Sequence, residues 1–241
     1  MIIAIDAGNS RIKWATHEGG RWLDSGVLAT SDIAWLAEAA DEWPAGAQVV
    51  VCNVAGAEVA AGISSLLARR QARVSFLRPT AVACGVRNSY DLPAQLGADR
   101  WAALIGARAQ SANACLVVCA GTATTVDLLD ADGVFRGGLI LPGFDLMRGA
   151  LASNTAQLPF AEAGAFRAEP RNTSDAIVSG CLQAQLGAVE RMFAPIASEA
   201  GAQCLLTGGA AERLVAHLRI PFRLVENLIL RGLVRYAESP S

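Results

Sequence analysis

Three short segments of this 241-residue chain set Gly, Ser, Thr and Asp side by side in a way suited to holding an anion. Asp6-Ala7-Gly8-Asn9-Ser10 interrupts two apolar runs, and Lys13 follows shortly after. Gly121-Thr122-Ala123-Thr124-Thr125 interrupts two others. In such a turn, backbone N–H groups and hydroxyls point outward and can hold phosphate oxygens as a nest does. Asp6, ending its run beside the turn, offers Mg2+ a hard oxygen ligand, directly or through water. Lys13 is near enough to reach the same phosphates. Leu205-Leu206-Thr207-Gly208-Gly209-Ala210 adds a third Gly-rich turn, where no side chain keeps a flat ligand at a distance. Neither G-x-x-x-x-G-K-[ST] nor G-x-G-x-x-G occurs, so the commonest nucleotide fingerprints are absent. One such turn alone reads as an ordinary hairpin. The matched pair is what points to a shared grip on one polyphosphate.

A second group lies between these turns: Arg87-Asn88-Ser89-Tyr90, then Leu96-Gly97-Ala98-Asp99-Arg100-Trp101. Asp99 has two readings. It can cap a helix running from Arg100 to Ala112. It can also be a general base for an acceptor hydroxyl, with Arg100 clamping an anionic group of the same substrate. Chemistry alone leaves both open. Asp127, between Val126 and Leu128, reads either as a second carboxylate on the Mg2+ side or as a salt-bridged strand residue. Gly137-Gly138 through Pro142-Gly143 marks a strand end, a sharp turn and a helix start. His17 and His217 receive no role.

The elements that would position these residues follow one grammar twice. Met1–Ile5, Arg11 to Thr16 and a stretch through Val27 and Leu28 read as a three-strand meander. Ala114–Val118, Ala123–Leu129 and Val134–Leu141 read as another, with Asp130-Ala131-Asp132-Gly133 as its hairpin turn. In the first half, a helix capped by Ser31, a strand Gln48–Asn53, a helix 58–71 and a strand Val74–Leu77 follow. In the second, Thr173 or Ser174 caps a long helix that ends near Pro195. A strand Gln203–Thr207, a helix Ala210–Leu218 and a last helix Leu224–Ala237 complete it. The repeat is far too long for a solenoid. It argues for a duplicated α/β domain with a cleft between its halves. A single Rossmann-like domain is the alternative, but it needs βαβ crossovers where the meanders demand antiparallel pairs.

Composition excludes several classes. The chain is 53% hydrophobic and 17% charged, which is no signature of disorder. A net charge of -2 gives no reason to expect nucleic acid or an anionic membrane as partner. Its longest uncharged stretch, Ala109 to Val126, is broken by polar residues and makes a poor membrane span. The N-terminus reaches Asp6 with no basic segment before an apolar one, so no signal peptide is expected. Six cysteines scattered in apolar runs, with no CxxC, suggest reduced thiols in a cytoplasmic protein and no metal site of their own.

Asp6-x-Gly8-Asn9-Ser10, Gly97-x-Asp99-Arg100, Gly121-Thr122-Ala123-x-Thr125 and Gly137-Gly138-x-Ile140-x-Pro142-Gly143 follow one another as in type III pantothenate kinases. The chain resembles that family, which includes the Bvg accessory factors, over nearly its whole length. Its three Gly-rich turns also resemble the ATP-binding superfamily of actin, hexokinase and Hsp70. The resemblance implies an α/β fold of duplicated ribonuclease H-like (actin-like ATPase) domains, 1–112 and 113–241, with an interdomain cleft. It implies ATP-dependent phosphorylation of pantothenate to 4'-phosphopantothenate, the first step of coenzyme A biosynthesis. Asp6, Ala7, Gly8, Asn9, Ser10, Arg11, Ile12, Lys13 and Thr122 would contact ATP and its Mg2+. Asp99 would accept the proton. Tyr90, Gly97, Ala98, Asp99, Arg100 and Thr173 would line the pantothenate pocket of a homodimer, with Thr173 reaching the partner's substrate. Family members often carry an aspartate associated with K+ or NH4+ where this chain has Cys119. A thiol is a poor ligand for such an ion, so the requirement is in doubt or is met by backbone oxygens. A kinase of the same superfold acting on another hydroxylated metabolite, or a non-catalytic regulatory relative, are the rival readings.

Overall fold

Strand β1 (Ile2–Ala7) is fully buried from Ile3 to Ile5, and Ile3, Ile5 and Ala7 share one core. The other members of that core are apolar residues spread over the first half of the chain, including Trp14, Leu36, Val51, Ile63 and Leu67. Burying each large aliphatic residue contributes roughly 1.5–3 kcal/mol, so this apolar face dictates the strand's position. The computed structural model describes residues 1–155, 158, 160 and 163–239. The chain forms two compact units: Met1–Ala112 with Gly133–Phe135 and Asn227–Ser241, and Asn113–Asp132 with Arg136–Glu226.

In the first unit β1, β2 (Arg11–Glu18) and β3 (Arg21–Ala29) form an antiparallel meander. A 3-10 turn (Thr30–Trp35) leads into α1 (Leu36–Asp41). Then come β4 (Gln48–Asn53), α2 (Ala57–Ala68) and β5 (Arg73–Phe76). Strand β1 runs parallel to β4, and β4 to β5, so the sheet order is β3-β2-β1-β4-β5. Two short strands, β6 (Val82–Ala83) and β7 (Val86–Asn88), precede helix α3 (Ala98–Gln110).

The second unit repeats the plan. Strands β8 (Cys115–Ala120), β9 (Ala123–Leu129) and β10 (Val134–Pro142) make its meander. Helices α4 (Phe144–Asn154) and α5 (Thr173–Phe193) follow, then β11 (Gln203–Thr207), α6 (Ala211–Val215) and β12 (Phe222–Leu224). Its strands are ordered β10-β9-β8-β11-β12, with β8, β11 and β12 parallel. That is the first unit's order over again, and it matches a duplicated α/β domain rather than a Rossmann unit. Val134 and Phe135, at the start of β10, belong to the first unit, where they pair with Arg87 and Asn88 of β7.

The expected second half, 113–241, is corrected at its end. Helix α7 (Leu228–Ala237) belongs to the first unit because it packs along α3. The two backbones nearly touch there: a Cβ on Gly232 would overlap the Ala102 carbonyl, whose carbon would lie 2.7 Å away. Gly106 faces the Leu228 carbonyl in the same manner. Only glycine permits this approach. Other differences are local. The stretch after Ser31 is 3-10 rather than a regular helix start, with Ala29 at its N-terminus and no side-chain cap. Leu224 pairs in β12 instead of opening the last helix, which starts at Leu228.

Candidate active site

The β1–β2 connection is a tight turn closed on itself. Gly8 donates its N–H to the Arg11 carbonyl at 3.0 Å. Thr30 fixes the turn from behind, donating Oγ1 to the Gly8 carbonyl at 2.7 Å and N–H to the Ser10 carbonyl at 3.1 Å. Asn9, Ser10 and Arg11 are left exposed, as a phosphate-holding turn requires. Asp6 and Lys13 are direct cross-strand partners, so both side chains stand on one face of the sheet.

Burial pushes the Asp6 carboxyl up to about 7, the negative charge of Asp99 pushes it in the same direction, and Lys13 offsets part of the rise. Asp6, Lys13 and Asp99 therefore share one electrostatic neighbourhood in the first unit. A partly buried carboxylate facing a second carboxylate is a site that favours a cation. Since Asp6 titrates near 7 when folded and near 3.8 when unfolded, the folded chain holds an extra proton between these values. The associated stability is present at low pH and lost as pH rises through about 7. In nucleotide-free protein, the thermal midpoint of Asp6→Asn should gain on that of wild type between pH 4 and pH 8. A difference that stays flat or narrows would contradict this placement of Asp6.

Asp99 stands in the first turn of α3, and Gly97 rather than Asp99 occupies the N-cap position. The capping reading is therefore corrected. The Asp99 carboxylate accepts the Arg100 N–H at 2.8 Å, an interaction favoured at the positive end of a helix. It lies so close to Gly97 that a Cβ there would come within 2.6 Å of Oδ1. Arg100 is almost wholly buried, at 3% exposed. Its Nη1 donates to the Tyr90 hydroxyl at 2.8 Å. Its guanidinium stands 5.7 Å from the Tyr90 ring centre and 5.6 Å from that of Phe135. Those rings lie 5.4 Å apart, and Tyr90 is anchored by its N–H to Asn88 Oδ1 at 3.0 Å. A buried cation fixed by aromatic faces is pre-shaped to clamp a substrate carboxylate. Phe135 escaped the sequence reading because an aromatic in an apolar strand looks like any core residue.

The second unit carries the other turn. Gly121 donates its N–H to the Ala123 carbonyl at 3.0 Å, and Gly121, Thr122 and Ala123 are exposed. Two later glycines press against its backbone. Gly143 donates to the Thr122 carbonyl at 2.8 Å, and a Cβ on it would overlap the Gly121 and Thr122 carbonyl oxygens. Gly208, at φ +102, sits against Ala120, where an added Cβ would be 2.7 Å from the carbonyl carbon. Ala210 donates to the same Ala120 carbonyl at 3.1 Å. The close approach expected at Gly208 is thus made first to the chain itself. Thr173 is exposed at the start of α5, whose N-cap is Asn172, accepting from the Asp175 N–H at 2.9 Å. It edges an apolar groove of about 860 Å³ between α4 and α5, lined among others by Leu146, Leu151 and Ile177. Asp127 is buried in β9 opposite Val117.

The chain shares its fold with solved structures of several differently described proteins. A Campylobacter jejuni protein described as a Baf family transcriptional activator is 21% identical, with a TM-score of 0.67 over 98% of this chain and 97% of that one. A Sinorhizobium meliloti protein described as a 2-dehydro-3-deoxygalactonokinase is 17% identical, with a TM-score of 0.59 over 98% of each chain. The model of the type III pantothenate kinase family matches residues 2–195. A type III pantothenate kinase of Aromatoleum aromaticum is 58% identical over 97% of this chain and 96% of its own. The chain belongs to the type III pantothenate kinase family.

Proposed function

We infer that this chain transfers the γ-phosphoryl group of ATP to the primary hydroxyl of pantothenate, making 4'-phosphopantothenate for coenzyme A biosynthesis. The observation that carries this reading is the grouping of Asp6, Lys13 and Asp99 in one electrostatic field, with Arg100 next in sequence to Asp99 and locked between Tyr90 and Phe135. Asp99 takes the proton from the acceptor hydroxyl as the hydroxyl oxygen attacks the γ-phosphorus, and the bond from that phosphorus to the bridging oxygen breaks to release ADP. Arg100 holds the pantothenate carboxylate, with Tyr90, Gly97 and Ala98 around it, and Thr173 is assigned to the same ligand. In the first unit the turn from Asp6 to Lys13 holds phosphate through backbone N–H groups, hydroxyls and the Lys13 ammonium, and in the second the turn at Thr122 is assigned phosphate contact of its own. With little covalent chemistry for side chains to perform, positioning and charge neutralisation supply the rate.

Asp6 is an oxygen donor whose burial leaves a carboxylate in want of a cation, and this fits Mg2+ held directly or through water. When bound, Mg2+ neutralises charge developing on the phosphate oxygens. The side chains at the Cys119 position fit a monovalent ion poorly. Cys119 presents a soft thiol, and its cross-strand neighbour Thr125 adds a single buried hydroxyl that makes no hydrogen bond among the described residues. A hard monovalent cation needs more oxygen than that. Turnover in K+ and in Na+ is expected to agree within about twofold, and a K+ stimulation of about tenfold would contradict this donor argument.

A second copy of the chain is the proposed cover for the α4–α5 groove beside Thr173, in keeping with the apolar lining of that groove. The cytoplasm is the proposed place of action, in keeping with six cysteines that are all thiols. Among the described residues no helix is long and apolar enough to cross a membrane. The test of the acceptor is selectivity. Purified protein is offered pantothenate and a panel of sugars and other hydroxylated metabolites with MgATP. Pantothenate should be the one efficient acceptor, and equal or better turnover of a sugar would transfer the assignment to another kinase of this fold.

A further inference from the structure

We infer that Gln185 is a positioning residue for the Gly121–Thr125 turn, holding together the two glycine-rich segments that meet there. Gln185 lies on α5 and is 1% exposed. The helix residues buried with it are almost all apolar, among them Leu182, Leu186 and Val189. An amide in such surroundings is costly unless its polar atoms are matched, and a leucine would fill the space without that cost. The amide is matched on both sides. Its Oε1 accepts from Thr124 Oγ1 at 3.2 Å, and Thr124 is itself wholly buried in the strand that leaves the turn. Its Nε2 donates to the Pro142 carbonyl at 3.4 Å.

These two contacts close a ring. Pro142 precedes Gly143, whose N–H holds the Thr122 carbonyl at 2.8 Å, and Thr122 stands two residues before Thr124. One side chain therefore ties the strand after the turn to the segment that presses on the turn's backbone. The glycine of the Pro142-Gly143 motif makes the close approach possible, and Gln185 holds it in register. This assignment rests on the reading that the Thr122 turn receives ATP phosphates. Within that reading Gln185 acts on nucleotide affinity through Thr124 and Gly143, not through contact with substrate.

The test compares Gln185→Leu, Thr124→Val, the double variant and Val189→Ala, a fully buried residue of the same helix outside the ring. Each is titrated calorimetrically with a non-hydrolysable ATP analogue and Mg2+, and its thermal midpoint is recorded. Each single polar variant leaves a buried partner unmatched and loses stability, whereas the double removes the Thr124–Gln185 pair together and regains the part due to it, the Pro142 carbonyl still lacking its donor. All three should bind the nucleotide about tenfold more weakly, as loss of an outer supporting contact does, with a matching rise in KM for ATP and little change in kcat. Val189→Ala should lose stability and keep its nucleotide affinity. The inference is overturned if the double variant binds within about twofold of wild type, or if Val189→Ala weakens binding as much as the ring variants. A wild-type chain that binds the nucleotide but does not phosphorylate pantothenate would overturn the assigned reaction alone, and the titrations would still decide the role of Gln185.

Discussion

Asp99→Asn lowers kcat by about 10²–10⁴-fold while leaving the affinity for MgATP close to wild type. The asparagine has the same shape and still accepts the Arg100 N–H that Oδ1 accepts at 2.8 Å, so the start of α3 should be preserved. What it cannot do is take a proton from the acceptor hydroxyl. The substitution also removes one of the influences that hold Asp6 up, so Asp6 should titrate lower in the variant. That second signature distinguishes loss of a base from general damage to the fold. Retention of more than about a tenth of wild-type kcat would rule out the base role.

Gly143→Ala should be the other severe change, and it should act on the opposite parameter. A methyl group at this position would overlap the Gly121 and Thr122 carbonyl oxygens and come within 2.8 Å of the Thr122 carbonyl carbon. Those atoms are backbone and cannot rotate away, so the turn or the start of α4 must shift. Overpacking of this kind costs about 1–3 kcal/mol. A displaced turn should also weaken nucleotide binding, by about 10²-fold if the shift approaches 1 Å. Gly149, within α4, is the control: an added Cβ there meets nothing within 4 Å. Gly149→Ala should stabilise the helix by up to about 1 kcal/mol and leave binding unchanged. Equal effects from the two substitutions, read by denaturant unfolding and nucleotide titration, would refute the bracing role of Gly143.

The parts of the fold legible in the sequence were those set by local pattern. Gln48–Asn53 and Gln203–Thr207 are short apolar runs bounded by polar or glycine residues, and both form strands over those same residues. The two turns between apolar runs are likewise local features. What escaped depended on partners distant in sequence. Helix α7 joins the first unit through a glycine-to-glycine crossing with α3, and nothing near Gly106 or Gly232 announces the other. Helix α6 stops at Val215, short of the expected Leu218, and periodicity is a weak guide to where so short a helix ends.

The site divides the same way. Asp6, Asp99 and Arg100 were named from residue type and family likeness, and the first unit does bring Asp6 and Asp99 within electrostatic reach. The burial of Arg100 was not legible, since an arginine is ordinarily exposed and its shelter comes from Tyr90 and from Phe135, which arrives from another part of the chain. The glycine at 208 looked like a ligand-facing turn and the one at 143 like a strand-to-helix turn. Their closest neighbours prove to be the carbonyls of the Ala120–Thr122 segment. A single glutamine in an apolar helix, Gln185, carries no sequence signal until the atoms around it are known.

The most direct test is ADP release by the purified chain with MgATP, with and without pantothenate, in K+ and in Na+ buffers. Release that depends on pantothenate, at similar rates in the two salts, is the predicted result. No release above the acceptor-free control in either salt would contradict the assignment of phosphoryl transfer to pantothenate.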